Sequence, residues 1–284
     1  MTAVTELLKF PHRIGLGTWK MGAARAERAR EIAAVAHALA CGYRLLDTAE
    51  MYADGGAERV IGSALKDLGA ARRQELFVVS KVLPQNASRA GTVSACEASI
   101  ARMGCEYLDL YLLHWRGSHP FSETLRGFIA LRERGLIRHF GVSNLDLDDL
   151  AEWLEAEQSL RVAPGVRCNQ LYYCLEARAI EFEQLSWQRR HGIVTMAYSP
   201  LGQGGLADHP VLRQIAHARG VSAAQIALAW SIREADVVAI PKSVTPQRLD
   251  ENFAAAQIRL TAAELAQLDR SFPAPRSRQP LPTT

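Results

Sequence analysis

Short apolar runs rich in leucine, isoleucine and valine alternate along the chain with longer segments whose apolar residues recur at helical spacing. This alternation is typical of parallel β-strands joined by crossover helices, and it restricts the chain to an α/β fold. The predicted strands are Ile14–Trp19, Arg44–Asp47, Leu76–Val82, Leu108–His114, Ile137–Val142, Val166–Gln170, Ile193–Ala197 and Val237–Ile240. The predicted helices are Ala26–Cys41, Ala57–Leu68, Ser88–Met103, Ser122–Arg134, Asp146–Glu157, Ala177–Arg190, Pro210–Arg219 with Ser222–Glu234, and Pro246–Ala255.

Eight strands with eight helical connections predict a closed (β/α)8 barrel, the TIM barrel, rather than an open doubly wound sheet. The strand–helix pairs continue without a linker, so we expect one domain over residues 1–284. An open doubly wound sheet would favour a Gly-x-Gly-x-x-Gly motif after a strand, and no predicted strand is followed by one. Thr261–Leu268 is predicted as an extra C-terminal helix with a Thr261–Glu264 capping box. The proline-rich tail, Pro273–Thr284, is expected to be an extended surface segment or a frayed end.

Composition excludes several classes of protein. The 284 residues hold 33 Lys and Arg against 30 Asp and Glu, a net charge of +3, which does not indicate a nucleic-acid partner. Five cysteines without C-x-x-C spacing suggest reduced thiols. The first residues lack the pattern of a signal peptide, and no apolar run is long enough for a membrane span. We therefore expect a cytoplasmic protein.

Polar side chains stand at the ends of neighbouring predicted strands. Asp47 ends the second strand, Lys81 lies near the end of the third, and His114 ends the fourth. Tyr52 follows in the loop after Asp47. Each has an ordinary structural explanation when taken singly, such as a turn cap, a surface lysine or a buried histidine. Because the carboxyl ends of barrel strands surround one pocket, their coincidence favours a shared site.

These four residue types suit proton transfer at a carbonyl or alcohol oxygen. A phenol has an ordinary pKa near 10, and we expect the Lys81 ammonium to lower the pKa of Tyr52 while Asp47 keeps the lysine charged. A histidine beside the phenol can hold a substrate oxygen in line for the proton. The hydride must then come from a cofactor. The histidines and cysteines show no zinc-binding spacing, so no metal is expected.

Six segments resemble signature segments of the aldo-keto reductases: GYRLLDTAEMY, VSKV, YLDLYLLHW, GVSN, AYSPLGQG and IPKSVTPQRLDEN. They occur in the family's order between Gly15 and about Asp269, nearly the whole chain. The resemblance implies a (β/α)8 barrel that binds NADP(H) without a Rossmann motif, acts on a small carbonyl substrate and is a monomer.

The resemblance also implies roles for residues. Asp47, Tyr52, Lys81 and His114 match the catalytic tetrad, with Tyr52 as general acid, Lys81 and Asp47 tuning it, and His114 orienting the carbonyl. The implied substrate-binding residues are Trp19, Tyr52, His114 and Trp115. The implied cofactor-binding residues around the nicotinamide and pyrophosphate are Gly17, Thr18, Trp19, Asp47, Ser143, Asn144, Gln170, Tyr198, Ser199 and Leu201.

A third set of implied cofactor contacts lies near the end of the chain. Lys242, Ser243 and Arg248 surround the start of a predicted helix, and Asn252 lies one turn beyond Arg248. A helix N-terminus favours anions, and arginine with lysine suits a dianionic phosphate. Since a solvated basic turn has the same composition, it is the family resemblance that favours NADPH over NADH here.

Two departures from the family pattern bear on the pocket. The loop between Tyr52 and Glu58 looks longer than usual, and Arg116 stands where many relatives have proline. Arg116 either places a cation near the pocket mouth, which would draw in keto-acids, or points to solvent. A shorter tail than in many relatives, with Trp19, Tyr52 and Trp115, suggests an open site with aromatic walls.

The expected function is NADPH-dependent reduction of aldehydes and small ketones. Oxo-aldehydes such as methylglyoxal, keto-sugars and keto-acids are the expected substrates. One alternative is an NADPH-binding barrel that senses redox state with little turnover. Another is an unrelated barrel enzyme such as a metal-dependent hydrolase, although the carboxylate and histidine clusters that it needs are not evident in the sequence.

Overall fold

A computed structural model describes residues 3–8, 12–66 and 69–282. Eight parallel strands follow one another around a single sheet in chain order. They are β1 (Leu16–Gly17), β2 (Leu45–Asp47), β3 (Phe77–Val82), β4 (Leu108–Leu113), β5 (Ile137–Ser143), β6 (Cys168–Tyr172), β7 (Val194–Tyr198) and β8 (Val237–Ala239). Ile14 pairs in parallel with Ala239, and the Gly15 N–H donates to the Ala239 carbonyl at 2.8 Å. These contacts join the last strand to the first, so the predicted (β/α)8 barrel is confirmed.

Helices surround the barrel between the strands. They are α1 (Ala3–Leu8), α2 (Arg28–Cys41), α3 (Gly56–Leu65), α4 (Ala70–Gln74), α5 (Arg89–Met103), α6 (Phe121–Glu133), α7 (Leu147–Ser159), α8 (Gln184–Arg190), α9 (Pro210–Arg219), α10 (Ala223–Ser231), α11 (Pro246–Ala254) and α12 (Ala262–Ser271). The side chains of Ser88, Asp146 and Ser222 cap the starts of α5, α7 and α10 by accepting backbone N–H groups. The predicted capping box of Thr261 with Glu264 is present at α12.

The inside of the barrel is filled by alternate residues of each strand. On β3, Phe77 and Val79 belong to the inner apolar cluster, whereas Val78 and Val82 pack in the layer between sheet and helices. Side chains of a strand alternate between its two faces, so Lys81 points to the same side as Phe77 and Val79. This period of two carries the polar strand ends into the axis of the barrel.

The sequence did not predict helix α1. Its residues Val4, Leu7 and Leu8 are buried and join the inner cluster, next to Leu45 and Phe77. Leu45 and Phe77 begin their strands, and α1 therefore covers the amino-terminal end of the barrel, opposite the strand ends. The short helix α4 was not predicted either.

Some predicted boundaries were wrong. The helix predicted over Ala177–Arg190 is a 3-10 turn, Ala179–Glu181, followed by α8, because Cys174 pairs with Ala177 and turns the chain. The helix predicted over Ala57–Leu68 ends at Leu65, and residues 67–68 lie outside the described residues. The first strand is shorter than Ile14–Trp19.

The proline-rich tail is extended, which was one of the two expectations for it. Arg278 binds the carboxylate of Asp148 near the start of α7, with N···O distances of 2.8 and 3.2 Å. Residues 283–284 lie outside the described residues. No helix within the described ranges is long and apolar enough to span a bilayer. That residues 1–284 form one domain stays a prediction.

Candidate active site

Three of the four tetrad candidates form one hydrogen-bonded group at the carboxyl ends of β2 and β3. The Lys81 ammonium donates to both oxygens of Asp47, at 2.9 and 3.0 Å, and to the Thr48 carbonyl at 2.8 Å. It also lies 3.3 Å from the Tyr52 hydroxyl. Lys81 is fully buried and Asp47 is 2% exposed. The chain from Asp47 through Lys81 to Tyr52 is therefore a buried ion pair in contact with a phenol.

The charges of this group follow from burial and pairing. Burial lowers the pKa of Lys81, but the neighbouring Asp47 and Tyr52 raise it by more, and the net pKa lies above its ordinary value. Burial raises the pKa of Asp47, and hydrogen bonds from Lys81 and Gln170 oppose that rise only in part. The hydrogen-bond geometry and the raised pKa of Lys81 both support a charged ammonium beside Tyr52.

The expected acidification of Tyr52 was wrong as a net effect. Burial raises the pKa of Tyr52 above 10.0, and this outweighs the lowering by Lys81. Asp47 adds to the rise because its negative charge opposes a phenolate. Tyr52 is therefore a neutral phenol at neutral pH, which leaves it able to donate its proton.

His114, the fourth candidate, lies beside the phenol. Its ring is 5.9 Å from that of Tyr52, centroid to centroid, in an edge-to-face arrangement. Burial, with a smaller contribution from Lys81, lowers the pKa of His114 to about 2. Its Nδ1 is buried and has no hydrogen-bond partner among the described residues. His114 is thus a neutral imidazole that can offer a hydrogen bond without changing charge.

The residues implied for the nicotinamide lie at the end of β5, in the middle of β6 and at the end of β7. Ser143 donates to the Gln170 carbonyl at 2.9 Å. The Asn144 amide donates to the His114 carbonyl at 3.1 Å, and its oxygen accepts the Tyr198 hydroxyl at 3.0 Å. Asn144 has a left-handed backbone with φ 57°. Asn144 also donates to the Ser143 hydroxyl at 3.1 Å, so these bonds link the side chains of Ser143, Asn144 and Tyr198 to one another beside His114.

Gln170 has a partner that the sequence did not predict. Its Nε2 donates to Asp47 Oδ1 at 2.7 Å and contacts Met196 Sδ at 3.0 Å. Its Oε1 accepts no hydrogen bond within the described part of the chain. That oxygen, like His114 Nδ1, remains without an internal hydrogen-bond partner in the described ranges.

Gly17 ends β1, and Thr18 and Trp19 follow it. Thr18 is buried and donates its hydroxyl to the Asp47 carbonyl at 2.9 Å. A side chain at Gly17 would lie 2.6 Å from the Ile240 carbonyl oxygen, so only glycine lets β1 approach β8 this closely. The Trp19 ring is half-buried under the Lys20 ammonium, 4.3 Å from its centroid.

The implied phosphate-binding residues lie in the loops after β7 and β8. Ser199 has a left-handed φ of 47°, and Leu201 leads into a 3-10 segment, Gly202–Asp208. Lys242 and Arg248 are exposed, whereas Ser243 and Asn252 are buried. Within the described part of the chain, no hydrogen bond joins these residues to the tetrad.

The Arg116 side chain was expected either to place a cation near the pocket mouth or to point to solvent, and in the structure it is paired with two carboxylates. Its guanidinium binds Asp149 at 2.6 Å and Glu152 at 2.7 Å, and it stacks on Phe121. Two carboxylates pair with this half-exposed cation, and the idea that it draws in keto-acids stays a prediction. Trp115 is 37% exposed, with its ring 4.8 Å from that of His114.

The sequence missed two kinds of contributor to the site. The Thr48 carbonyl holds Lys81, and backbone groups leave no residue-type signal. Glu50 and Glu58 bind β3 and the residues after it, but only the fold brings them together. Among the residues that the structure describes, no three histidine, cysteine, aspartate or glutamate side chains are grouped to hold a metal ion.

A closed (β/α)8 barrel with a buried lysine–phenol pair and a neutral histidine at its strand ends defines a barrel enzyme that moves a proton at a substrate oxygen. The model of the aldo/keto reductase family matches residues 13–272. The chain belongs to that family, so the resemblance and the predicted oxidoreductase class are confirmed.

Proteins that resemble this chain match it over most of its length. Methylglyoxal reductase YeaE of Escherichia coli (strain K12) is 45% identical over 276 residues, covering 94% of this chain and 93% of that protein. Methylglyoxal reductase DkgA of Salmonella typhimurium is 35% identical over 260 residues, covering 90% and 88%. A solved aldo-keto reductase from Klebsiella pneumoniae in complex with NADPH has a TM-score of 0.89 at 43% identity, covering 96% and 95%. The alternative of a redox sensor gains no support from these relatives.

Proposed function

We propose that the protein reduces aldehydes and small ketones to alcohols with NADPH, and that small oxo-aldehydes of the methylglyoxal type are its substrates. The observation that carries this proposal is the partly buried contact between the Tyr52 hydroxyl and the Lys81 ammonium, at 3.3 Å. Family membership and the names of the two methylglyoxal reductases support the substrate class.

The donor and acceptor groups of the site fit NADPH. The free Oε1 of Gln170 suits the amide N–H of a carboxamide, and a hydrogen bond to Asn144 fixes the Tyr198 side chain two residues beyond the β7 partner of Gln170. The exposed cations of Lys242 and Arg248, at the start of α11, suit a phosphate. When bound, the reduced nicotinamide supplies the hydride that adds to the carbonyl carbon.

The remaining residues prepare the substrate oxygen. Tyr52 donates its proton to that oxygen as the alcohol forms, since burial keeps the phenol neutral until then. The Lys81 ammonium stabilises the resulting phenolate, and Asp47 fixes the direction of the ammonium. Neutral His114 orients the carbonyl by a hydrogen bond, with Trp19 and Trp115 beside the opening.

The decisive experiment removes the proton donor alone. NADPH consumption with methylglyoxal is expected to fall by at least about 100-fold in Tyr52→Phe, the usual scale for a lost general acid. NADPH binding, measured by protein fluorescence, is expected to remain. Tyr107→Phe is the matched control, because Tyr107 precedes β4 at the opposite end of the barrel. Retained turnover in Tyr52→Phe would contradict the proposal.

A panel of carbonyl compounds tests the substrate class. We expect small oxo-aldehydes to be reduced with higher kcat/KM than keto-acids of equal size, because Arg116 is already paired with Asp149 and Glu152. A clear preference for keto-acids would contradict this assignment.

We further propose that the protein works in the cytoplasm as a monomer. All five cysteines are free thiols, which suits a reducing compartment. Cell fractionation and sedimentation equilibrium test the two statements, and a periplasmic or dimeric protein would contradict them.

A further inference from the structure

Two carboxylates fasten the Tyr52 loop to the segment that carries Lys81. Glu58, in the first turn of α3, accepts the Ser80 hydroxyl at 2.6 Å, and Ser80 immediately precedes Lys81. Tyr52 itself is tied to the same turn, since its carbonyl accepts the Ala57 N–H at 3.2 Å. The bond between Glu58 and Ser80 therefore joins the loop to β3 on the C-terminal side of Tyr52.

The second carboxylate acts on the other side of Tyr52. Glu50 Oε1 accepts the Leu83 N–H at 2.7 Å and the Asn86 amide at 3.0 Å. Leu83 lies two residues after Lys81. Glu50 and Glu58 therefore lie on either side of Tyr52 in the sequence. The groups that they bind, on Ser80 and Leu83, lie on either side of Lys81.

The Glu58 carboxylate is fully buried and is balanced by one cation. Arg102, in the last turn of α5, donates from Nε to Glu58 at 2.5 Å and from a terminal nitrogen to Ser99 at 3.1 Å. A buried carboxylate without such a partner would be strongly unfavourable. The pair therefore fixes α3, which starts at the Tyr52 loop, against α5.

The Tyr52 loop needs such support because its backbone is strained. Ala53 and Asp54 have φ values of 52° and 48°, in the left-handed region that residues with a side chain rarely adopt. Gly55 follows with φ 73°, and a side chain on it would lie 2.4 Å from Cδ of Arg102. The turn therefore closes directly on the arginine that balances Glu58.

We infer that Glu50 and Glu58 are positioning residues that hold the Tyr52 hydroxyl within reach of the Lys81 ammonium. The inference rests on the proposed function, in which Tyr52 donates the proton. Neither carboxylate touches the reacting atoms; both act through the placement of the loop. Because each binds the Lys81 segment separately, loss of one leaves the other in place.

The variants Ser80→Ala and Glu50→Ala, alone and together, test the inference. Ser231→Ala is the matched control, because Ser231 is also a fully buried serine but its hydroxyl donates to the Ala227 carbonyl within α10, away from the Tyr52 loop. We expect each single variant to lose about threefold in kcat for an aldehyde and the double variant at least about tenfold, since displacements near 1 Å at a reacting group cost up to about 100-fold. Ser231→Ala is expected to keep the wild-type rate.

Two readouts separate positioning from a general structural role. The solvent deuterium isotope effect on kcat/KM is expected to rise in the double variant, because protonation by a displaced Tyr52 becomes slower, while the Kd of NADPH stays within about twofold. A crystal structure of the double variant is expected to place the Tyr52 hydroxyl beyond about 3.5 Å from the Lys81 ammonium.

The results decide between the inference and the function on which it rests. An inactive wild-type enzyme would remove the proposed function. An active wild type, with a double variant that matches Ser231→Ala in kcat and isotope effect, would overturn the inference alone. If the double variant does not fold, the single variants decide by the same comparison.

Discussion

The side-chain amide of Gln170 donates a hydrogen bond of 2.7 Å to Oδ1 of Asp47, joining the residue implied for the nicotinamide to the ion pair behind the phenol. Asp47 therefore accepts three hydrogen bonds, two from Lys81 and one from Gln170. Each favours the ionised carboxylate against the effect of burial. The same side chain keeps Oε1 free, so it can serve the cofactor and Asp47 together.

Gln170→Met should show this double connection. We expect weaker NADPH binding and a lower kcat at saturating NADPH, because the variant removes both the acceptor and the donor to Asp47. In the Asp47→Asn background the further loss of kcat should be smaller, with a coupling of about 1 kcal/mol, or about fivefold. Steady-state kinetics of the four proteins provide the cycle; strictly additive losses would show that Gln170 does not act through Asp47.

Lys81→Met is expected to destabilise the fold as well as abolish turnover. It would leave the Asp47 carboxylate buried without its cation, at a cost of about 3 kcal/mol in the free energy of unfolding at neutral pH. The double variant Asp47→Asn/Lys81→Met removes both charges and should recover part of that loss. Urea denaturation of the three proteins measures it, and a double variant no more stable than Lys81→Met would count against the argument.

His114 should make the stability of the protein fall in mild acid. Its pKa is lowered from 6.5 to about 2 by burial, so the unfolded chain binds a proton that the folded protein does not. The contribution of neutral His114 is complete above pH 6.5 and is lost at about 1.4 kcal/mol per pH unit as pH falls toward 2. Denaturant unfolding of wild type and His114→Gln between pH 7 and 4 isolates this term.

The variant is expected to have a flatter pH dependence of stability than the wild type over that range. Parallel curves for the two proteins would mean that His114 takes up its proton in the folded state.

Arg248→Ala should change cofactor preference rather than catalysis. Arg248 is exposed in the first turn of α11, where its guanidinium suits a dianionic phosphate, so the KM for NADPH should rise at least about tenfold. The KM for NADH should change by less than about twofold, since NADH has no such phosphate. Arg270→Ala, an exposed arginine on α12, serves as control. Equal losses for both cofactors would refute the assignment.

The strands and the tetrad candidates could be predicted because their signals are local. Lys81 follows Phe77 and Val79 at a period of two, and His114 follows Leu110 and Leu112 in the same way. Helix α1 could not be predicted in this way. Its apolar residues are too few to show a helical period in the sequence, and they find partners only at the amino-terminal end of the closed barrel.

The order of strands, the polar residues at their ends and the family follow from the amino-acid sequence by itself, because periodicity and motifs are properties of neighbouring residues. The direction of the pKa shift of Tyr52, the partners of Arg116 and the bond between Asp47 and Gln170 were decided by tertiary structure alone. Burial and pairing arise between residues far apart in the chain, 123 positions for Asp47 and Gln170. A charge near a phenol can be read from motifs, but how much water surrounds that phenol depends on every element packed around it.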